Sequence, residues 1–183
     1  MIRWHGDVMS MTYKVIINAG ELAEIYRRLK EEKLLWAVWS DIDDEEWTES
    51  LFVKFLSRDD TLVLGGYIDG ELAGVMTMRP AEIKSLTANI GLTAFRKFFK
   101  QAVPLCMGAL LWACDTQDMK SILGRVAAPN RHILRLLASL GFKEIGRVPG
   151  MTWYTRKQAF VDGVLVLATV ESIRAAAAEL EAI

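Results

Sequence analysis

The sequence predicts an α/β fold: one mixed, mostly antiparallel sheet of six or seven strands with helices on both faces. Three observations carry this expectation. Stretches rich in β-branched and aromatic residues alternate with stretches whose apolar residues recur every three or four positions. The clearest β-rich stretch, TLVLGGYIDGELAGVMTMRP, reads as two strands joined by Asp69-Gly70, a dipeptide whose positive φ values suit a two-residue hairpin turn. The chain has 183 residues, 52% of them apolar and 25% charged, so it can bury roughly 70% of its unfolded surface around one full core.

In chain order, residues 12–18 predict a short first strand and residues 20–33 a helix, with Leu22, Ile25, Tyr26 and Leu29 on one stripe. A second helix is expected over 43–56, where Trp47, Leu51, Phe52 and Phe55 share a face and Ser40 or Asp41 would cap it. The hairpin strands follow at 61–68 and 71–79. Residues 83–90 read as a strand leading through Gly91 into a helix patterned on Ala94, Phe95, Phe98 and Phe99. Pro104 should kink or split that helix, because proline lacks the amide hydrogen and clashes with the preceding turn. Then come a strand at 120–127, a helix at 130–140 closed by Gly141, and strands at 142–148, 151–159 and 163–170. The last of these starts at a second Asp-Gly pair, Asp162-Gly163, and residues 171–183 form an alanine-rich helix. No repeat or Pro/Gly/Ser-rich linker interrupts this order, so 1–183 reads as one domain: an N-terminal strand and two helices over 1–60, the sheet core over 61–170, and the C-terminal helix.

Charge and cysteine content narrow the function. The net charge is −1, which steers the chain toward neither nucleic acid nor an anionic membrane. Its halves differ, however: residues 1–90 hold 10 Lys+Arg against 16 Asp+Glu, and residues 91–183 hold 12 against 7. A site between them would present a basic side to a polyanionic ligand and an acidic side to a cationic one. Cys106 and Cys114 match neither a disulfide framework nor a zinc spacing. The first residues lack an apolar run of signal-peptide length, and the longest uncharged run, 101–114, is too short to span a bilayer. A cytoplasmic protein is expected. P-loop, Gly-x-Ser-x-Gly, Gly-x-Gly-x-x-Gly and His-Glu-x-x-His motifs are absent, and basic and aromatic residues do not interleave as on a single-strand nucleic-acid platform.

One segment carries a family resemblance. Residues 129–142, PNRHILRLLASLGF, resemble the Asn-x-x-Ala-x-x-Leu-Tyr-x-x-x-Gly-Phe signature of the GNAT N-acetyltransferases, with Asn130, Leu136, Gly141 and Phe142 in register. KEIGRVPG and FVDGVLVLATV are similar to that family's last strands. From the residues alone, Asn130 and Gly141 are a plain helix cap at each end. The resemblance adds that the matching asparagine contacts the cofactor, acetyl-CoA. It also implies that the fourth and fifth sheet strands, 83–90 and 120–127, run parallel and splay, so that their unpaired backbone groups meet the pantetheine arm.

Two departures from the family pattern stand out. The Gln/Arg-x-x-Gly-x-Gly/Ala phosphate loop is replaced by Asn89-Ile90-Gly91-Leu92-Thr93-Ala94-Phe95-Arg96. Gly91, Thr93, Ala94 and the amides before Phe95 are the candidates for an anion nest there, with Arg96 or Lys97 supplying charge. The alternative is a simple strand-to-helix turn with solvated basic residues. Ala88, Asn89 and Ile90 join the cofactor-binding set, and a backbone amide of 87–90 would hold the oxyanion. The family's tyrosine, which protonates the departing thiolate, falls at Leu137, leaving Tyr154 or Tyr67 as substitutes. Glu82 is the candidate base, at the start of the presumed fourth strand. His132 reads as a surface or capping residue, and His5 lies in the N-terminal stretch.

The acidic run Asp41, Asp43, Asp44, Glu45, Glu46 and Glu49 reads first as a helix start favoured by the dipole. In the family the first helices line the acceptor groove, where that run and Trp36, Trp39 and Trp47 would suit a cationic amine. The implied activity is acetyl transfer from acetyl-CoA to a small-molecule or peptide amine by direct attack, in a monomer or homodimer, with no metal. The alternative is a GNAT-shaped binding or structural module without catalysis, similar to phage-encoded members that also lack the phosphate loop. A third reading is an acyltransferase for a longer acyl chain.

Overall fold

The computed structural model describes residues 2–4, 7–38, 45–82, 85–154 and 157–182. Strands Ile2–Trp4 (β1) and Asp7–Met9 (β2) pair as a separate antiparallel hairpin. The main sheet begins with Met11–Val15 (β3) and continues, after helices Ala19–Glu31 (α1), Leu35–Val38 (α2) and Glu49–Leu56 (α3), with Leu62–Ile68 (β4), Glu71–Pro80 (β5) and Thr87–Ala94 (β6). A 3-10 helix, Arg96–Gln101, runs into Ala102–Thr116 (α4). Ser121–Ala127 (β7), Arg131–Ser139 (α5), Lys143–Tyr154 (β8), Ala159–Thr169 (β9) and Val170–Glu181 (α6) complete the chain. Among the described residues the sheet has seven strands in the order β3-β4-β5-β6-β7-β9-β8, antiparallel throughout except where β6 meets β7.

Side-chain alternation along these strands builds two cores. On one face, Val63, Ala73 and Val75 meet Leu22, Ile25 and Leu29 of α1 and Phe52 of α3. Asn18 caps α1 by accepting the Gly20 amide at 2.7 Å, and Thr48 caps α3 by accepting that of Leu51 at 3.1 Å. The Tyr26 hydroxyl donates to the Trp47 carbonyl at 2.7 Å, tying the loop before α3 to α1. On the other face, Leu64, Met76, Ile122 and Val166 meet Leu110 of α4 and Ile173 of α6. Cys106 is packed in this second core, where burial pushes its thiol up to about 12 and leaves it no nucleophile. Among the described residues no helix is long and apolar enough to cross a membrane.

Several boundaries differ from the sequence reading, each for a local reason. The first strand ends at Val15 rather than residue 18, because Asn18 is already the α1 cap. The second helix begins at Glu49 instead of residue 43, with Thr48 as its cap; Ser40 and Asp41 lie outside the described residues. The strand expected at 83–90 is β6, shifted to Thr87–Ala94, and the helix expected from Ala94 does not start there. Pairing with β5 runs from Pro80↔Ala88 to Gly74↔Ala94, and the Phe95 amide continues the ladder to the Ala73 carbonyl at 2.9 Å. Pro104 falls in the first turn of α4, just after the 3-10 segment, where its missing amide costs no intrahelical bond.

The strands expected at 142–148 and 151–159 are largely one bulged strand, β8. Asp162-Gly163 opens no strand: Gly163 sits inside β9, paired with both Ala127 and Val148, and β9 already pairs with β8 from Ala159 opposite Tyr154. The terminal helix runs over Val170–Glu181, opened by a reciprocal cap between Thr169 and Ser172.

Gly141 closes α5 as the sequence indicates, at φ +90°, and a β-carbon there would stand 2.5 Å from the Ser172 carbonyl oxygen. Both the left-handed backbone and the contact with α6 exclude a side chain. Gly141→Ala should therefore destabilise the protein by about 2 kcal/mol or more, read as a lower urea midpoint with an unchanged slope.

Candidate active site

The site is built by a pairing that stops early. β6 and β7 are in parallel register over Thr87↔Ser121, Ala88↔Ile122 and Asn89↔Leu123. Beyond these, β6 stays with β5 as far as Ala94, while β7 follows β9 as far as Ala127. The segments 90–94 and 124–127 thus each keep one partner, and alternate backbone N–H and C=O groups turn into the gap between them. A cleft of about 440 Å³ occupies this gap.

Its two sides come from the two faces of the sheet. Trp36, Val38, Thr77, Arg79, Asn89 and Gly91 line the side under α2, and the apolar Ile90, Leu92, Val126, Leu136, Leu137 and Phe142 line the side toward α4 and α5. A β-carbon at Gly91 would stand 2.7 Å from the Thr77 hydroxyl of β5, with the Val38 carbonyl of α2 in ordinary contact at 3.7 Å. The charged side chains on the cleft wall are Arg79 and Arg125. Partial burial holds the Arg79 guanidinium below its usual range, opposed by the Asp60 carboxylate, and the group stacks over the Phe55 ring at 5.1 Å.

Asn130 and Tyr154 are brought together. Asn130 is 7% exposed and lines the cleft; its side chain does not cap α5 as the sequence reading has it. Instead its Oδ1 accepts the Tyr154 hydroxyl at 3.0 Å, across 24 residues. Leu137 is buried in the cleft wall and has no proton to give.

The other sequence candidates separate. Asn89, Ile90 and Gly91 line the cleft, whereas Ala88 is packed in the core. Gly91, Thr93 and Ala94 are strand residues in register with β5 rather than part of a loop. Arg96 follows them, but its amide donates to the Glu32 carboxylate at 2.6 Å and its Nε to the Glu32 carbonyl at 3.0 Å. The side chain of the α1 C-cap residue thus holds the start of the 3-10 helix, where the sequence departs from the phosphate-loop pattern. Lys97 pairs with Glu71.

Glu82 is exposed in the β5–β6 turn and does not line the cleft; nor do Tyr67, which is half-buried on β4, or His132, which is exposed on α5. Of the acidic run, Glu45 and Glu46 are exposed and Glu49 pairs with Arg27 at 3.2 Å. Asp41, Asp43, Asp44, Trp39 and His5 lie outside the described residues, and Trp47 is buried in the core. Among the described residues no carboxylate, imidazole or phenol lines the cleft. Sequence reasoning missed Thr77, Arg79 and Arg125, although polar residues at period two on an otherwise buried strand, and an arginine inside SILGRVA, were available signals.

A sheet ordered in this way, with one splayed parallel pair and helices on both faces, is the fold of the GNAT N-acetyltransferases. The chain has that fold. A chimera of the Vibrio cholerae spermidine N-acetyltransferase and hSSAT matches it with a TM-score of 0.73 at 16% identity, covering 90% of this chain and 98% of that one. The Vibrio cholerae spermidine N-acetyltransferase in complex with CoA and spermine matches with a TM-score of 0.71 at 15% identity, covering 90% and 98%. The ribosomal-protein-S5-alanine acetyltransferase of Vibrio fischeri matches with a TM-score of 0.68 at 14% identity, again covering 90% and 98%. No family model and no curated protein sequence matches the chain.

The Asn130–Tyr154 bond makes a direct prediction. Tyr154→Phe leaves a buried carbonyl oxygen unpaired and should cost about 1–2 kcal/mol of stability. In a double-mutant cycle with Asn130→Ala the two losses should fall short of additive, because each single change already removes the shared bond.

Proposed function

We propose that this chain binds acetyl-CoA in the split between β6 and β7 and transfers the acetyl group to an amine. The observation that carries the reading is the pair of open strand edges, 90–94 and 124–127, facing one cleft. An extended chain carrying amides, such as the pantetheine arm, meets such edges as an added strand would. Ile90, Leu92 and Ala94, whose backbone groups alternate away from the β5 ladder, supply one edge of that contact. Asn130, its carbonyl oxygen engaged by Tyr154, keeps its amide hydrogens for a ligand carbonyl. Solved acetyltransferases of the same fold, one of them in complex with CoA and spermine, support the choice of cofactor.

The acceptor would enter on the α2 side, past Trp36, Val38 and Thr77. Its neutral nitrogen attacks the thioester carbon, the carbonyl electron pair moves to oxygen, and a strand amide steadies the oxyanion. Collapse restores the carbonyl, breaks the carbon–sulfur bond and releases CoA thiolate. The nitrogen's extra proton passes to solvent or to the thiolate, whose thiol has a pKa near 8.5. With no acid or base among the described cleft residues, rate would come from placement and electrostatics.

A second reading, a binding module of the same fold without catalysis, is favoured by one specific observation: the Glu32 carboxylate sits at the 3-10 helix start in place of a phosphate loop. The thermal midpoint with and without acetyl-CoA separates the two readings. At about 100 times its dissociation constant the thioester should add roughly 2.7 kcal/mol, a rise of a few degrees that adenosine diphosphate does not reproduce. An unchanged midpoint would leave the module reading. In the enzyme, the rate should rise with pH through the pKa of the acceptor amine itself, whichever amine is used.

A further inference from the structure

The β7–α5 loop has a second concave surface on the opposite face of α5. A groove of about 970 Å³ there is lined by Arg131 and Arg135 of α5, Arg147 of β8, and Lys157 and Asp162 of the β8–β9 hairpin, with Leu134 on its wall. Four cations thus meet one lining carboxylate, and Glu144 adds a second by binding Arg147 at 2.7 and 3.2 Å. Asp162 accepts the Gly150 amide at 3.4 Å. Arg131, Arg135 and Lys157 have no ion pair or hydrogen bond among the described residues. Every other arginine whose side chain is described has a partner. Arg27, Arg28, Arg58, Arg147 and Arg174 are in ion pairs, Arg96 is bonded to Glu32, and Arg79 and Arg125 each make an interaction.

The placement also opposes local electrostatics. Arg131 is the first residue of α5, Arg135 lies one turn on, and the first turn has no acidic residue. A helix N-terminus disfavours cations by a few tenths of a kcal/mol to about 1 kcal/mol each, a cost that a bound anion would offset. Violations of local preference with no compensation inside the fold are expected where a ligand supplies it.

We propose that this groove is a binding site for a phosphoryl group, a phosphomonoester or a diphosphate. Guanidinium groups one helical turn apart, about 6 Å, bracket such a group and grip its oxygens in pairs. Four cations against two carboxylates leave an excess that matches the roughly −1.5 to −2 charge of a phosphomonoester at neutral pH. A polymeric anion would need a basic stripe along the surface, whereas the described arginines without a partner are gathered in one groove of a chain with net charge −1. The phosphoryl group has two sources, a CoA ligand reaching around α5 or a separate phosphorylated molecule. The site itself does not depend on the acetyl-transfer reading.

Titration of the full chain with sodium diphosphate, followed by calorimetry, tests this. Wild type should bind at up to millimolar concentration, and the double variant Arg131→Gln/Arg135→Gln should bind about tenfold or more weakly, with a thermal midpoint no lower than that of wild type, because both side chains are exposed and the change relieves the helix N-terminus. Arg174→Gln removes the same kind of charge from α6 and should change binding less than about twofold. Absence of binding by wild type, an unchanged affinity in the double variant, or equal losses in the double variant and Arg174→Gln would each overturn the proposal. Repeating the titration with CoA present assigns the source: competition points to the phosphates of CoA, and independent binding to a separate ligand.

Discussion

Everything that makes a site of this sheet follows from a three-residue parallel pairing. β6 has a seven-residue register with β5, and β7 a seven-residue register with β9, but the two share only Thr87↔Ser121 through Asn89↔Leu123. Each strand is held more strongly by its antiparallel neighbour than by the other, and the right-handed twist between neighbours separates them as they extend. The gap could close only by breaking one of the longer ladders. Open edges inside a protein are costly unless water or a ligand meets them, so the cleft is a place where the fold leaves hydrogen-bonding capacity unspent.

The surroundings of the gap divide its work. On the side toward α4 and α5, Ile90, Leu92, Leu137 and Phe142 make an apolar wall suited to an uncharged chain. On the α2 side, Thr77, Arg79 and Asn89 offer polar groups where a second reactant would approach. Asn130 stands at the α5 end, and Tyr154 fixes which end of its amide is free. The turn after β6 is held by Glu32, and the described arginines without a partner are both on α5.

Much of the fold was legible because local chemistry and tertiary structure agree. Asp69-Gly70 marks a hairpin turn, with both residues at positive φ, and Gly141 ends α5 at φ +90°. The stripe of Leu22, Ile25, Tyr26 and Leu29 is buried as its spacing requires. Where the reading slipped, the same residues satisfied two local patterns and pairing chose between them. Ala94 and Phe95 fit a helical stripe, yet the β5 ladder extends over both. Asp162-Gly163 is a turn dipeptide by composition, but β7 and β8 flank it and hold it straight.

The candidate site was legible only in part. Asn130 is legible as a helix cap or cofactor contact and Tyr154 as one of two substitute acids, but the sequence separation of 24 hides that the hydroxyl of one engages the side-chain carbonyl of the other. The sequence by itself determined the class of the fold, its strand hairpin, the end of α5 at Gly141 and the loss of the phosphate-loop glycines, because these depend on residue chemistry within a few positions along the chain. Only the tertiary structure decided where β6 and β7 part, that Glu32 closes the turn after β6, and that four cations gather behind α5. Those outcomes depend on pairings between distant segments, whose competing hydrogen-bond ladders and charges no local pattern encodes.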